Sequence, residues 1–437
     1  MKKRKSQKLW DEAKKIIPGG TQLLSKRAEM FLPEQWPAYY RSAKGIEVVD
    51  LDGRKYLDMS LMGVGSCVLG YADTTVNKAV KKAIDRGSMS TLNAPEEVAL
   101  ATVLLRLHPW AQGVRYARTG GEAMTIAVRI ARAHTGKDRV AFCGYHGWHD
   151  WYLAANLADD KNLDGHLLSG LEPVGVPRVL KGTALPFSYN HLQELEGIIE
   201  KHQDIGVIVV EPLRHQEPTN DFLRKVRDIA KKINAVLIFD EISIGWRLNI
   251  GGVHLRYGVT PDIAVFGKAM SNGYPMAAII GTKTVMNAAH ATFISSTYWT
   301  ERIGPVAALA TIRKMTARNV PRHLAQIGTM IGEVWRTLAV KHRLKITVRG
   351  PLPLISFSFD DENPQELKTL FVQEMLRRGF LAGLTVYVSY SHRRSHIKKY
   401  AHAVDEVFAI LHHALTRGSV NSLLEGPVAH RGFTRLT

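Results

Sequence analysis

Four short apolar runs, at residues 140–143, 207–210, 236–239 and 263–266, constrain the fold of this chain more than any other feature. Each is too short for a helix that buries one face. None alternates polar with apolar residues, so each reads as a strand covered on both sides. Between them lie amphipathic stretches with helical spacing, at 190–201 and 221–233. Strands that alternate with helices in this way form a mostly parallel sheet flanked by helices, an α/β architecture. The chain has 437 residues, 45% of them hydrophobic. That exceeds one small core and predicts a large domain with a smaller α+β lobe appended.

The flanks supply the lobe. Residues 45–58, GIEVVDLDGRKYLD, read as two strands around the turn Asp52-Gly53. Helices are expected at 73–86, at 95–107 from Pro95, and as one long helix after Gly304-Pro305 to about residue 338. A strand at 354–359, a helix at 364–378, a strand at 387–389 and a closing helix at 396–415 complete the pattern. The expected division is an N-terminal segment, 1–62, that joins the small lobe, a large domain at 63–311 and a C-terminal small domain at 312–437.

Composition narrows the class. The start is basic but has no continuous apolar stretch, so it is not read as a secretory signal; Leu9, Trp10, Ala13, Ile16 and Ile17 recur at helical spacing instead. No apolar run reaches the length of a membrane span. The two cysteines, Cys67 and Cys143, lie far apart and form no metal motif, which predicts a reducing compartment, the cytoplasm. Lys and Arg number 58 against 40 Asp and Glu, a net charge of +18. Such a balance suits anionic ligands. The basic residues are scattered and no nucleic-acid-reading module is recognisable, so a solvated basic surface is expected and no specific nucleic-acid partner. His146 and His149, or His392 and His396, suggest metal only in isolation; no second cluster completes a ligand set.

Three loops carry chemistry. RTGGEAMTIAVRIARAHTG, from Arg118, leads a glycine turn into an amphipathic helix that Gly136 ends. Alone it is an ordinary turn. With an anion present, its free N–H groups and positive dipole end make a phosphate cradle. It is not a P-loop, because no Gly-Lys-Ser/Thr follows, and GVGSCVLG fails as a dinucleotide fingerprint because Val68 takes its third glycine position. NAVLIFDEISIGWR, from Asn234, ends an apolar strand in Asp240-Glu241, where sheet ligands bind. Taken by itself the acid pair suits a turn or cap equally well. DIAVFGKAMSNGYP, from Asp262, places Lys268 at another strand end. An amine in apolar surroundings loses proton affinity. A phosphate turn, an acid for a ring nitrogen and a lysine for an aldehyde together describe pyridoxal 5′-phosphate.

The segments Pro18-Gly19-Gly20, KGIEVVDLDGRKYLD, TGGEA, GYHGWHD, VVEP, LIFDEI and FGKAMSNGYP resemble the class III pyridoxal-phosphate-dependent aminotransferases, close in pattern to glutamate-1-semialdehyde aminomutases. The resemblance covers nearly the whole chain. It implies the type I aminotransferase fold and a homodimer with active sites at the interface. It implies Lys268 as the Schiff-base lysine and Asp240 as the acid facing the pyridine nitrogen. Gly120 and Gly121 match the phosphate turn, with Thr119 beside them. Tyr145 matches the aromatic on the ring with His146 next to it, Ile242 covers the other face, and Glu211 is a carboxylate near the cofactor. Thr300, or Thr297, matches the threonine that reaches the partner's phosphate, and Lys26-Arg27 occupy the region of the substrate-carboxylate arginine. Val64 stands where the aminomutases carry a tryptophan. The expected function is amino transfer from a small-molecule donor to a carbonyl acceptor. TERIGP and GPVAHRGFTRL resemble surface-polysaccharide homologues and suggest a sugar-like acceptor. The alternatives are an aminomutase, which moves the amine within one molecule, and a non-catalytic basic binding protein. A sugar dehydratase on this fold lacks the lysine, and Lys268 is present.

Overall fold

A computed structural model describes residues 4–166 and 169–432; residues 433–436, which end GPVAHRGFTRL, lie outside the described residues. The chain forms two compact units, Met1–Asp73 with Arg322–Thr437, and Thr74–Pro321.

The second unit is built on seven strands: β1 (Gly113–Ala117), β2 (Arg139–Cys143), β3 (Ala184–Pro186), β4 (Ile205–Val210), β5 (Val236–Asp240), β6 (Ile263–Phe266) and β7 (Ala277–Gly281). Their order is β1-β7-β6-β5-β4-β2-β3. All neighbours are parallel except β7, which runs antiparallel to both β1 and β6. Every residue of β4, β5, β6 and β7 is buried. Alternate residues serve opposite faces. Val207, Val209, Val236, Ile238, Ile263 and Val265 pack with helix α1 (Gly120–Thr135), whereas Ile208, Val210, Leu237 and Phe239 pack with the helix Phe222–Lys232. The result is the three-layer arrangement that double-sided strands require. Gly136 ends α1 in the left-handed region at φ +66°.

Two features depart from the expected pattern. Strand β7 follows the Lys268 turn with no intervening crossover helix, so a reading keyed to strand–helix alternation passes over it. The single long helix is two, Ile303–Ala317 and Val320–Lys341. Asn319 takes φ +44° between them, a conformation that stops an α-helix, and Pro321 suits the first turn of the second helix because its missing N–H is not needed there.

In the first unit, Tyr40–Lys44, Glu47–Asp50 and Lys55–Met59 form an antiparallel meander that Phe380–Ala382 extends in parallel. The turn at Gly53 has φ +83°. Ile346–Arg349, Leu354–Phe359 and Thr385–Tyr387 form a second, antiparallel sheet. Its helices include Pro364–Arg377 and Arg394–Thr416, and the buried Trp335 indole N–H donates to Tyr400 Oη at 3.0 Å. The N-terminal helix Lys5–Ile16 buries Trp10 and Ala13 but leaves Leu9 and Ile16 exposed. No helix among the described residues is long and apolar enough to cross a membrane.

Candidate active site

The parallel strands β1, β2, β4, β5 and β6 all end on one edge of the second unit's sheet, and each is followed by a loop that carries a candidate residue. Open α/β sheets bind ligands at this edge.

Asp240 ends β5 opposite Val265 of β6, and Lys268 comes three residues after Val265. Lys268 has φ +40°, in the left-handed region that costs a side-chain-bearing residue about 1–2 kcal/mol. Its Nζ donates to Ser243 Oγ at 2.6 Å. Burial of the amine lowers its pKa below the ordinary lysine range; Asp240 and Glu211 oppose that shift without overcoming it, and Arg247 and Arg214 add to it. The residue as a whole is half-buried.

Asp240 is buried. Its Oδ1 accepts from the Ile242 N–H at 3.0 Å and its Oδ2 lies 2.8 Å from His146 Nδ1. His146 Nε2 lies 3.2 Å from the Cys143 carbonyl oxygen. A carbonyl only accepts, so Nε2 carries a hydrogen and the Nδ1 bond needs a further one. Glu211, also buried, accepts from the Tyr145 N–H at 2.9 Å and lies 3.4 Å from Arg214 Nε. Burial raises its pKa above the usual carboxylate value, against the pull of Arg214. Gly144, at φ +120°, is required here, because a Cβ would lie 2.6 Å from Glu211 Oε2. Tyr145 is half-buried, and its phenol is pushed up first by burial and then by Asp240 and Glu211.

At the start of α1, Thr119 and Glu122 form a capping box: Thr119 Oγ1 accepts from the Glu122 N–H, and Glu122 Oε2 accepts from the Thr119 N–H at 2.9 Å. Among the described residues, the Gly120 and Gly121 N–H groups donate to no other group of the chain. A Cβ on Gly120 would lie 3.0 Å from Ile242 Cδ1, and one on Gly267 would lie 3.4 Å from Ile242 Cγ2, so Ile242 joins these two loops. The structure therefore gathers Lys268, Asp240, His146, Glu211, Tyr145 and Ile242, with the Thr119-Gly120-Gly121 turn beside Ile242. Thr300 is exposed and donates to the Thr297 carbonyl at 2.9 Å. Its segment is held near α1 by Arg118, which donates to the Trp299 and Glu301 carbonyls, and by the Trp299 indole N–H on Glu122. Lys26, exposed, and Arg27 belong to the first unit; the Arg27 guanidinium lies against Gly19, where a Cβ would stand 2.6 Å from Nη2.

Sequence reasoning missed Ser243, Arg214 and Arg247. Ser243 reads as a turn residue after an acid pair, and Arg214 as one more surface cation. Arg247 is buried and donates from Nε to the Ser243 carbonyl at 2.7 Å. The only signal was its place at the end of the Asp240 segment.

The aminotransferase class-III family model matches residues 33–415. The chain belongs to the class-III aminotransferases. It is 32% identical to a 3-aminobutyryl-CoA aminotransferase of Cloacimonas acidaminovorans, over 86% of this chain and 89% of that protein. It is 31% identical to a glutamate-1-semialdehyde 2,1-aminomutase of Methanocaldococcus jannaschii, over 83% and 84%. A 2′-deamino-2′-hydroxyneamine transaminase of Streptomyces kanamyceticus is 29% identical over 74% and 79%. The fold matches that of the FumI protein of Sphingopyxis sp. MTA144 with a TM-score of 0.85, at 22% identity over 94% of this chain and 97% of that one. The class-III aminotransferase fold is thus the type I fold of pyridoxal-phosphate transaminases, as expected from the sequence, and pyridoxal 5′-phosphate is the cofactor. The residues present fit that group: an amine pressed toward neutrality, a buried carboxylate beside it, and unspent N–H groups at the start of a helix of 16 residues.

Proposed function

We propose that this class-III enzyme is an aminotransferase that moves an amino group from a small-molecule donor to a sugar-like carbonyl acceptor, working in the cytoplasm as a homodimer with shared sites. The observation that carries the reading is the convergence of Lys268 and Asp240 at neighbouring strand ends. The sugar-like acceptor draws support from the relative named for a hydroxyneamine.

Bound here, pyridoxal phosphate supplies an aldehyde that captures amines and an electron-poor ring that accepts the electron pair left when a C–H bond breaks. Lys268 Nζ would hold the cofactor, and its neutral amine would take up and return a proton at the reacting carbon. Its lowered pKa favours the neutral amine that this task needs. Asp240 would hold the ring nitrogen and its proton. His146 orients the Asp240 carboxylate. Tyr145 and Ile242 would hold the ring by apolar contact. The Gly120 and Gly121 N–H groups, with Thr119, would hold the phosphate at the positive end of α1, and Thr300 or Thr297 would serve the phosphate of the other subunit.

The aminomutase is the second reading, on the 31% identity to an enzyme of that name. Incubation with a ¹⁵N-labelled donor separates the two. A transferase passes label stoichiometrically to the acceptor, whereas an aminomutase keeps the nitrogen within one molecule. Purified protein that neither retains cofactor nor consumes any donor, yet binds nucleic acid salt-sensitively, would overturn both in favour of a basic binding protein.

A further inference from the structure

The loop after β4 carries a cation for which the proposed chemistry has no use. Arg214 stands three residues beyond Glu211, and its side chain is 29% exposed. Its Nη1 donates to the His166 carbonyl oxygen, and its Nε lies 3.4 Å from Glu211 Oε2. Charge-assisted N–H···O bonds normally measure about 2.7–2.9 Å, so the Glu211 contact is a loose one. Among the described residues Nη2 makes no hydrogen bond. The charge of Arg214 acts on Lys268 and on Tyr145, which places it within the same cluster.

We propose that Arg214 receives a carboxylate of the amino donor and is a specificity-determining residue of this site. The proposal rests on the aminotransferase reading for the word donor alone; the anion site itself stands on geometry. A planar guanidinium with a loosely held Nε and an unspent Nη2 matches the two oxygens of a carboxylate. Glu211 already occupies part of that fork with a carboxylate of its own. An incoming carboxylate that makes bonds of ordinary length competes with it on favourable terms.

The test uses the holoenzyme and a matched pair of probes, propionate and propionamide, with binding followed by calorimetry. Propionate should bind the wild-type protein, weaken by at least about tenfold in Arg214→Gln, and recover in part in Arg214→Lys. Propionamide binding should not change. Glu211→Gln, which removes the internal competitor, should tighten propionate, an effect that a merely structural arginine would not produce. Equal propionate affinity in wild type and Arg214→Gln, parallel loss of both probes, or binding of inorganic phosphate but not propionate each overturns the proposal. Propionate binding that depends on Arg214 in a protein that transfers no amine would remove the aminotransferase reading and leave the anion site standing.

Discussion

His146 Nδ1 lies 2.8 Å from Asp240 Oδ2 while His146 Nε2 lies 3.2 Å from the Cys143 carbonyl oxygen. The imidazole is pinned at both ends and fixes where the Asp240 carboxylate points. His146→Gln should lower kcat by about tenfold to a hundredfold and weaken cofactor retention, within the range for loss of a group that orients a catalytic partner. Asp240→Asn should cost more, at least about a hundredfold, because it removes the charge as well as the aim. Turnover and cofactor dissociation measured on both variants check this; equal kinetics for wild type and Asp240→Asn would refute the ring-nitrogen role.

Lys268→Ala should abolish turnover, by about a thousandfold or more, together with the visible absorbance of the lysine-bound cofactor. The cofactor-free protein should not lose stability. Burial makes this amine costly, so its folded pKa lies below its unfolded one. The unfolded chain then binds more protons between those two values, and the penalty is full below the folded pKa and vanishes above the unfolded one. Lys268→Ala should therefore match or exceed the wild-type Tm near neutral pH, with the advantage shrinking as pH rises toward the ordinary lysine value. Thermal melts across that pH range decide the matter.

His392 titrates in the opposite experimental window. It is fully buried, its Nδ1 accepts from the Ser389 N–H at 2.9 Å, and burial pushes its pKa down to about 4. Between about pH 4 and 6.5 the unfolded chain carries the extra proton, so stability falls as pH drops through that interval, by an amount on the order of 3 kcal/mol at its foot. His392→Gln should flatten the pH dependence of urea unfolding below pH 6.5. His108 and His166, both also held at about 4 by burial, contribute with the same sign.

Gly144→Ala should destabilise the fold by about 2–3 kcal/mol, since it adds both a left-handed φ for a side-chain-bearing residue and a Cβ that would lie 2.6 Å from Glu211 Oε2. Gly136→Ala is the control: φ is also positive, at +66°, but nothing lies within 4 Å, so only the backbone penalty of about 1 kcal/mol is expected. Urea titration of both separates crowding from conformation. Equal losses would show that Glu211 yields freely.

The parallel core was legible because β2, β4, β5 and β6 must be apolar on both faces, and a run such as Val207 to Val210 has no other soluble reading. Lys268 and Asp240 stand out as candidates for a related reason: a charged residue at the end of such a run contrasts with it. Strand β7 was not legible, because an antiparallel strand without a crossover helix leaves no alternation to follow. The break at Asn319 was not legible either, since asparagine in a helical pattern becomes a stop only when its neighbours hold it left-handed. Ser243 and Arg214 were missed because their meaning lies in who faces them. A serine that accepts from a lysine 25 positions away has no pattern in one dimension.

The strand Lys55–Met59 pairs in parallel with Phe380–Ala382. During synthesis, that edge waits for its neighbour through more than three hundred intervening residues, roughly half a minute of translation at about 10 residues per second. The contiguous unit Thr74–Pro321 emerges in full before the ribosome has made its final pairing strand available. The nascent chain therefore presents an unfinished sheet edge at its front while the catalytic layer behind it is already closing, and a chaperone that shields residues 40–59 would act on the stage most exposed to wrong pairing.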